Sequence, residues 1–177
     1  MSRTPNPFPL APQAVVDTSF WSLAGLSGLE PYLWKQWRLI AAPAIVQQEL
    51  FHVPKATPQQ QRFQEAVNAG HLIIQNPLTW IPTLSKGERA VVSLAIEAKI
   101  PALVDDYRAH RHAVNTYSVR ALSVSQCLVG FLYRGILTLD DAEQTFQQLK
   151  QLGATNAIFL QQAAQAIYAK GGSMLWP

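Results

Sequence analysis

A chain of 177 residues is long enough for one well-cored domain and too short for two comfortable ones. Hydrophobic residues make up 49% of it against 14% charged, which points to a globular chain with a large interior. No apolar run is long enough to span a bilayer, and a net charge of +3 permits a nucleic-acid partner without demanding one.

Residues 1–13 form a Pro-rich lead-in that lacks the continuous apolar stretch of a signal peptide. Ala14-Val15-Val16 then reads as a first strand with Asp17 at its exit, and Thr18 and Ser19 are suited to cap a helix over 20–26. An aromatic-rich helix over 32–37 carries Trp34 and Trp37, whose better use is core or partner packing. A second strand at 38–41 leads through Pro43 into a helix over 44–51, on which Glu49 edges onto the apolar face. A helix over 59–69 and a third strand at 71–74 follow, with His71 at the strand's start. Ser85 and Glu88 make a capping box for the apolar helix over 90–98.

Pro101 introduces a fourth strand, 102–104, which stops at the adjacent carboxylates Asp105 and Asp106 before a polar segment of helical potential. A short fifth strand is expected at 116–119. Beyond it the pattern is helical: 124–133, then a helix capped by Asp140, then 156–169. The only cysteine, Cys127, cannot close an internal disulfide, fits a reducing cytoplasm, and reads as a small core residue. Alternating strands and helices give an α/β class, a parallel sheet of four to five strands flanked by helices. The division expected is a core over 14–135 and a helical extension over 136–177 packed on it.

Five acids fall at strand ends or helix starts: Asp17, Glu49, Glu88, Asp105 and Asp106. If the first and fourth strands are neighbours, these acids meet at the carboxyl edge of the sheet, where open α/β sheets bind ligands. Several carboxylates sharing one small site need a counter-charge. With no Cys or His cluster beside them, oxygen ligation implies Mg²⁺ or Mn²⁺ and the hydrolysis of a phosphodiester.

The segments Ala14-Val-Val-Asp17-Thr-Ser, Pro43-Ala-Ile-Val-Gln-Gln-Glu49-Leu, Leu84-Ser-Lys-Gly87-Glu88-Arg-Ala and Leu103-Val-Asp105-Asp106 with Arg108, in that order, resemble the PIN-domain family, and within it bacterial VapC-like toxins. The resemblance spans about residues 14–135. It implies a three-layer αβα sandwich and a Mg²⁺- or Mn²⁺-dependent endoribonuclease. Asp17, Glu88, Asp105 and Asp106 are the metal candidates, Glu49 assists, and Thr18 and Ser19 orient the first acid. Lys86, Arg89, Arg108 and Arg111 are candidates to position an RNA backbone, which predicts salt-sensitive binding; His110 and His112 would bind phosphate or nothing. A small antitoxin and a homodimer are the implied partners, with the Trp34/Trp37 stripe and the helical tail as candidate surfaces.

Two departures stand out. His110 occupies a place where such relatives usually carry Arg, and no Gly-Thr pair follows the fifth strand, the nearest stretch being Val119-Arg120-Ala121. The alternatives are a PIN fold without turnover that holds RNA or a protein, and a phosphotransfer domain, which the order of the acids disfavours.

Overall fold

The computed structural model describes residues 11–173. The Pro-rich lead-in therefore lies outside the described residues, apart from 11–13, as does the end of the C-terminal extension. Along the chain run β1 (Ala14–Val16), α1 (Thr18–Leu26), α2 (Glu30–Gln36), β2 (Ile40–Ala42), α3 (Ala44–Phe51), α4 (Pro58–Asn68) and β3 (Leu72–Ile74). Next come α5 (Lys86–Ala98), β4 (Ala102–Leu103), α6 (Tyr107–Tyr117), β5 (Ala121–Leu122), α7 (Val124–Tyr133), α8 (Leu139–Leu152) and α9 (Ala157–Ala169).

The five strands form one all-parallel sheet in the order β3-β2-β1-β4-β5. Every residue of β1, β2 and β4 is buried. That is the expected state of parallel strands covered on both faces, and it explains why they read as apolar runs rather than alternations. The chain moves outward from β1 to β3, then returns past β1 to lay down β4 and β5. Right-handed crossovers therefore put the helices preceding β2 and β3 on one face and those preceding β4 and β5 on the other. Helix α5 packs on β1 and β4, α4 on β3, and α7, α8 and α9 pack on one another. Among the described residues no helix is long and apolar enough to cross a membrane.

Three expectations need correction. The fifth strand is not at 116–119: α6 continues to Tyr117, Ser118 turns it off in the left-handed conformation (φ 53°), and the strand is Ala121–Leu122. There Ala121 aligns with Ala102 and Leu122 with Leu103. Helix α8 is capped by Thr138, whose hydroxyl accepts from the Asp141 N–H at 3.1 Å, so Asp140 lies inside the first turn. The tryptophan stripe, expected to pack in the core or on a partner and offered as a candidate surface, is largely taken up within the fold. Trp37 is buried edge-on to Phe131 (5.9 Å), and Trp34 stacks on His71 (5.1 Å) and leans on Trp21 (6.1 Å).

Candidate functional site

The strand order has its switch point between β1 and β4, the place where an open α/β sheet opens a crevice at its carboxyl edge. The ladder itself brings the acids there. Val16 is in register with Leu103, and the Asp17 N–H continues the ladder to the Leu103 carbonyl at 3.1 Å. Asp17 thus lies next to the Asp105-Asp106 pair. It is also the N-cap of α1, with Oδ1 accepting from the Phe20 N–H at 2.6 Å. Thr18 and Ser19, expected as caps, are already in the helix, because the extended backbone needed for a cap belongs to Asp17 (φ −96°, ψ 170°).

The two hydroxyls divide their work. Ser19 Oγ donates to Asp17 Oδ2 at 2.9 Å, whereas Thr18 Oγ1 donates to Glu49 Oε2 in a short hydrogen bond. Glu49 reaches the site from α3 by passing over the first turn of α5. A Cβ on Gly87 would stand 2.6 Å from Glu49 Oε1, so only glycine lets that carboxylate settle there. The N-terminal turn of α5 favours the negative charge. Glu88 reaches back to its own cap, Oε2 accepting from the Ser85 N–H at 3.1 Å. Asp106 caps α6 through the Ala109 N–H (2.8 Å) and is exposed. Asp17, Glu49, Glu88 and Asp106, from four different elements, line an open cleft of about 260 Å³ with Thr18, Ser19, Ser85 and Gly87.

Asp105 does not line this cleft. Successive side chains leaving a strand point to opposite sides, and here Asp106 takes the cleft side. Asp105 is 4% exposed and turns toward α7, with Oδ1 accepting from the Val124 N–H at 2.9 Å. Its Oδ2 and the neighbouring Thr155 Oγ1 are buried and meet no partner at hydrogen-bonding geometry. Burial raises the Asp105 pKa, with the Asp106 charge adding to it and the Val124 N–H and Thr155 opposing.

Burial pushes the Asp17 carboxyl up to about 7, against the Phe20 N–H and the Ser19 hydroxyl, which pull it down; the negative charges of Asp105 and Glu88 add to the rise. Burial is thus the main reason that the Asp17 carboxyl holds its proton more tightly than an exposed one, with the neighbouring acids adding to it. An all-oxygen donor set of this charge fits a hard divalent cation chemically. In the rotamers present, however, no group of three or more His, Cys, Asp or Glu among the described residues is arranged to hold a metal ion.

A second groove, about 540 Å³, opens beside the cleft along α6 and is lined by Thr83, Leu84, Tyr107, Arg108, Arg111, His112, Asn115 and Thr116. Arg108 and Arg111 are both exposed, and Arg111 stands over the Tyr107 ring at 5.8 Å. Leu84, between the two hollows, is held at φ 77°. For a branched aliphatic residue that costs roughly 1–3 kcal/mol and persists only where its surroundings enforce it. Lys86 is exposed on the first turn of α5, while Arg89 lies over the Trp80 ring (5.7 Å) with its Nε buried and unpartnered. Arg89 is thus partly withdrawn from the role of phosphate ligand expected of it.

Both histidines of α6 are in use. His110 is buried, with Nε2 2.9 Å from Gln126 Oε1 and its ring edge-on to Phe159 (4.9 Å). Burial lowers its pKa, so it ties α6 to α7 and α9 as a neutral ring. His112 joins Thr83 (2.8 Å) and Thr116 (3.2 Å). Burial also raises the Cys127 thiol pKa, which suits a core residue and not a nucleophile. The stretch Val119-Arg120-Ala121 runs into β5 rather than after it. The residue following the strand is Ser123, whose hydroxyl caps α7 by accepting from the Gln126 N–H at 3.2 Å.

The sequence reading missed Gly87 as the seat of Glu49, Ser85 as a wall of the cleft, and the groove along α6. Arg108, Arg111, His112 and Asn115 recur at i, i+3, i+4 and i+7, a signal readable once α6 is extended to Tyr117. No model of a known protein family matches the chain, and no curated protein matches it at a significant level.

Proposed function

We propose that the chain is a divalent-metal-dependent endoribonuclease with a PIN-like three-layer sandwich. One observation carries this reading: four carboxylates from four separate elements face a single cleft at the β1/β4 switch point, where Asp17 is buried among like charges. Asp17, Glu88 and Asp106 are the residues to hold Mg²⁺ or Mn²⁺, with Glu49 assisting from the α5 N-terminus. The cation, when bound, lowers the pKa of water and offsets the charge that builds on the phosphodiester. Ser19 fixes the Asp17 carboxylate and Thr18 fixes Glu49; exposed Lys86, between the cleft residues Ser85 and Gly87 in the chain, and Arg108, in the groove along α6, are the cations to meet a nucleic-acid backbone.

The test is cleavage of a mixed single-stranded RNA pool in Mn²⁺, Mg²⁺ or EDTA. The wild type is expected to cut only with metal, and Asp106→Asn to lose about 100-fold or more. A folded wild type that fails to cut RNA in both Mn²⁺ and Mg²⁺ overturns the reading. That result would favour the other one, a PIN-like module without turnover.

Asp105→Asn separates the neighbouring acids. An asparagine keeps an acceptor for the Val124 N–H and removes a buried charge from outside the cleft. Cleavage is expected to stay within about threefold of wild type, a factor worth under 1 kcal/mol. If Asp105→Asn were as damaging as Asp106→Asn, Asp105 would belong to the reacting centre after all.

A further inference from the structure

We infer that the groove along α6 is a nucleotide-binding subsite, holding one unpaired RNA nucleotide beside the phosphodiester in the acid cleft; this rests on the nuclease reading. Cleft and groove are continuous in the chain at two points. Ser85 lines the cleft and Leu84 the groove, and Asp106 lines the cleft and Tyr107 the groove. A strand with one phosphate among the carboxylates therefore places the adjoining nucleotide against α6.

The groove offers what an unpaired nucleotide requires. The Tyr107 ring, edge-on to Phe159 (5.4 Å), and the Arg111 guanidinium, 5.8 Å from its centre and donating to its hydroxyl at 3.3 Å, are an aromatic and a cationic group of the kinds on which bases stack. Arg108 adds a second exposed positive charge along the same wall. Asn115 is exposed one turn beyond Arg111 and carries both a donor and an acceptor, the pairing used to read a base edge.

The opposite wall is fixed in place. Thr83 Oγ1 meets His112 Nε2 at 2.8 Å and Tyr117 Oη at 3.0 Å, and His112 Nδ1 meets Thr116 Oγ1 at 3.2 Å. This chain fastens the loop that carries Leu84 to α6, so the groove has a definite width before any ligand arrives. Arginines beside a cleft of carboxylates also supply the charge alternation an anionic strand needs, which an acidic or apolar peptide would not exploit at both hollows.

The experiment is equilibrium binding of a fluorescently labelled single-stranded RNA pool to the full chain in EDTA, where cleavage is not required. Wild type is compared with Arg111→Ala, Asn115→Ala and Asn115→Asp, and with Lys99→Ala at the far edge of the sheet as a control. Melting curves verify that each variant is folded. The groove variants are expected to raise Kd about tenfold, Asn115→Asp most through its added negative charge, and Lys99→Ala to leave it unchanged. A 5-iodouridine strand is expected to crosslink to α6. Unchanged Kd in all three groove variants overturns the subsite, even if the wild type cleaves RNA. Weakened binding without any cleavage supports the subsite and counts against the nuclease reading instead.

Discussion

Asp17→Asn is expected to stabilise the metal-free fold at pH 8 while abolishing the proposed cleavage. The Asp17 carboxyl titrates near 7 in the folded chain against an ordinary value of 3.8. Between these values the folded state keeps a proton that the unfolded state has lost. Stability therefore falls as pH rises from about 4 to above 7, by on the order of 4 kcal/mol from this group alone. Asparagine has no proton to lose, and its single oxygen in the place of Oδ1 still accepts from the Phe20 N–H and lies 3.1 Å from the Ser19 hydroxyl. In EDTA, urea denaturation should show the variant about 2–4 kcal/mol more stable than wild type at pH 8 and nearly equal at pH 4. The same variant should cleave RNA at least about 100-fold more slowly in Mn²⁺. Parallel stability curves for the two proteins across this range would mean that Asp17 is not a strained, desolvated acid.

Found together, gained stability and lost cleavage would be the signature of a group kept for chemistry at the expense of the fold. Its counterpart in the same site is Leu84, a bulky residue held at φ 77° on the seam between the cleft and the α6 groove. Both departures from comfort lie within one small region of the molecule, while strands β1, β2 and β4 are uniformly buried and apolar. Two other non-glycine residues, Lys99 and Ser118, also have positive φ, but both are helix C-caps, where the left-handed conformation ends a helix; Leu84 is in a loop and has no such role.

Residue by residue, the sequence disclosed the scaffold better than the directions of its side chains. The span 14–16 is found as β1, 44–51 as α3 and 124–133 as α7, because each joins a run of suitable residues to a clear stop such as Asp17, Pro43 or Ser123. The fifth strand escaped because two residues carry no periodicity, and the β-branched Thr116 and Val119 nearby imitate a strand at the end of a helix. Four of the five acids face the cleft; the fifth, Asp105, turns toward α7, as strand alternation separates it from Asp106. What no local pattern encodes is the long-range contact. Thr18 binds Glu49 rather than Asp17, and His110 binds Gln126, because packing brings together residues far apart in the chain.

Gly87→Ala divides stability from activity in the opposite way to an ordinary core substitution. Alanine is the better helix former by about 1 kcal/mol, and Gly87 lies in the first turn of α5 with no positive-φ requirement. The atoms its Cβ would meet are Glu49 Oε1 at 2.6 Å, Oε2 at 3.1 Å and Cδ at 3.2 Å. These are the far end of a flexible side chain, so the clash resolves by Glu49 swinging away and releasing Thr18. The melting temperature is expected to hold or rise by a few degrees, while cleavage falls about tenfold through misplacement of a cleft carboxylate. Gly130→Ala is the matched control, a helical glycine in α7 whose added Cβ would meet nothing within 4 Å. It should gain the same stability and leave cleavage untouched. If Gly87→Ala behaves as Gly130→Ala does, Glu49 has no part in the chemistry. If the two diverge in rate alone, the glycine is there to seat the acid.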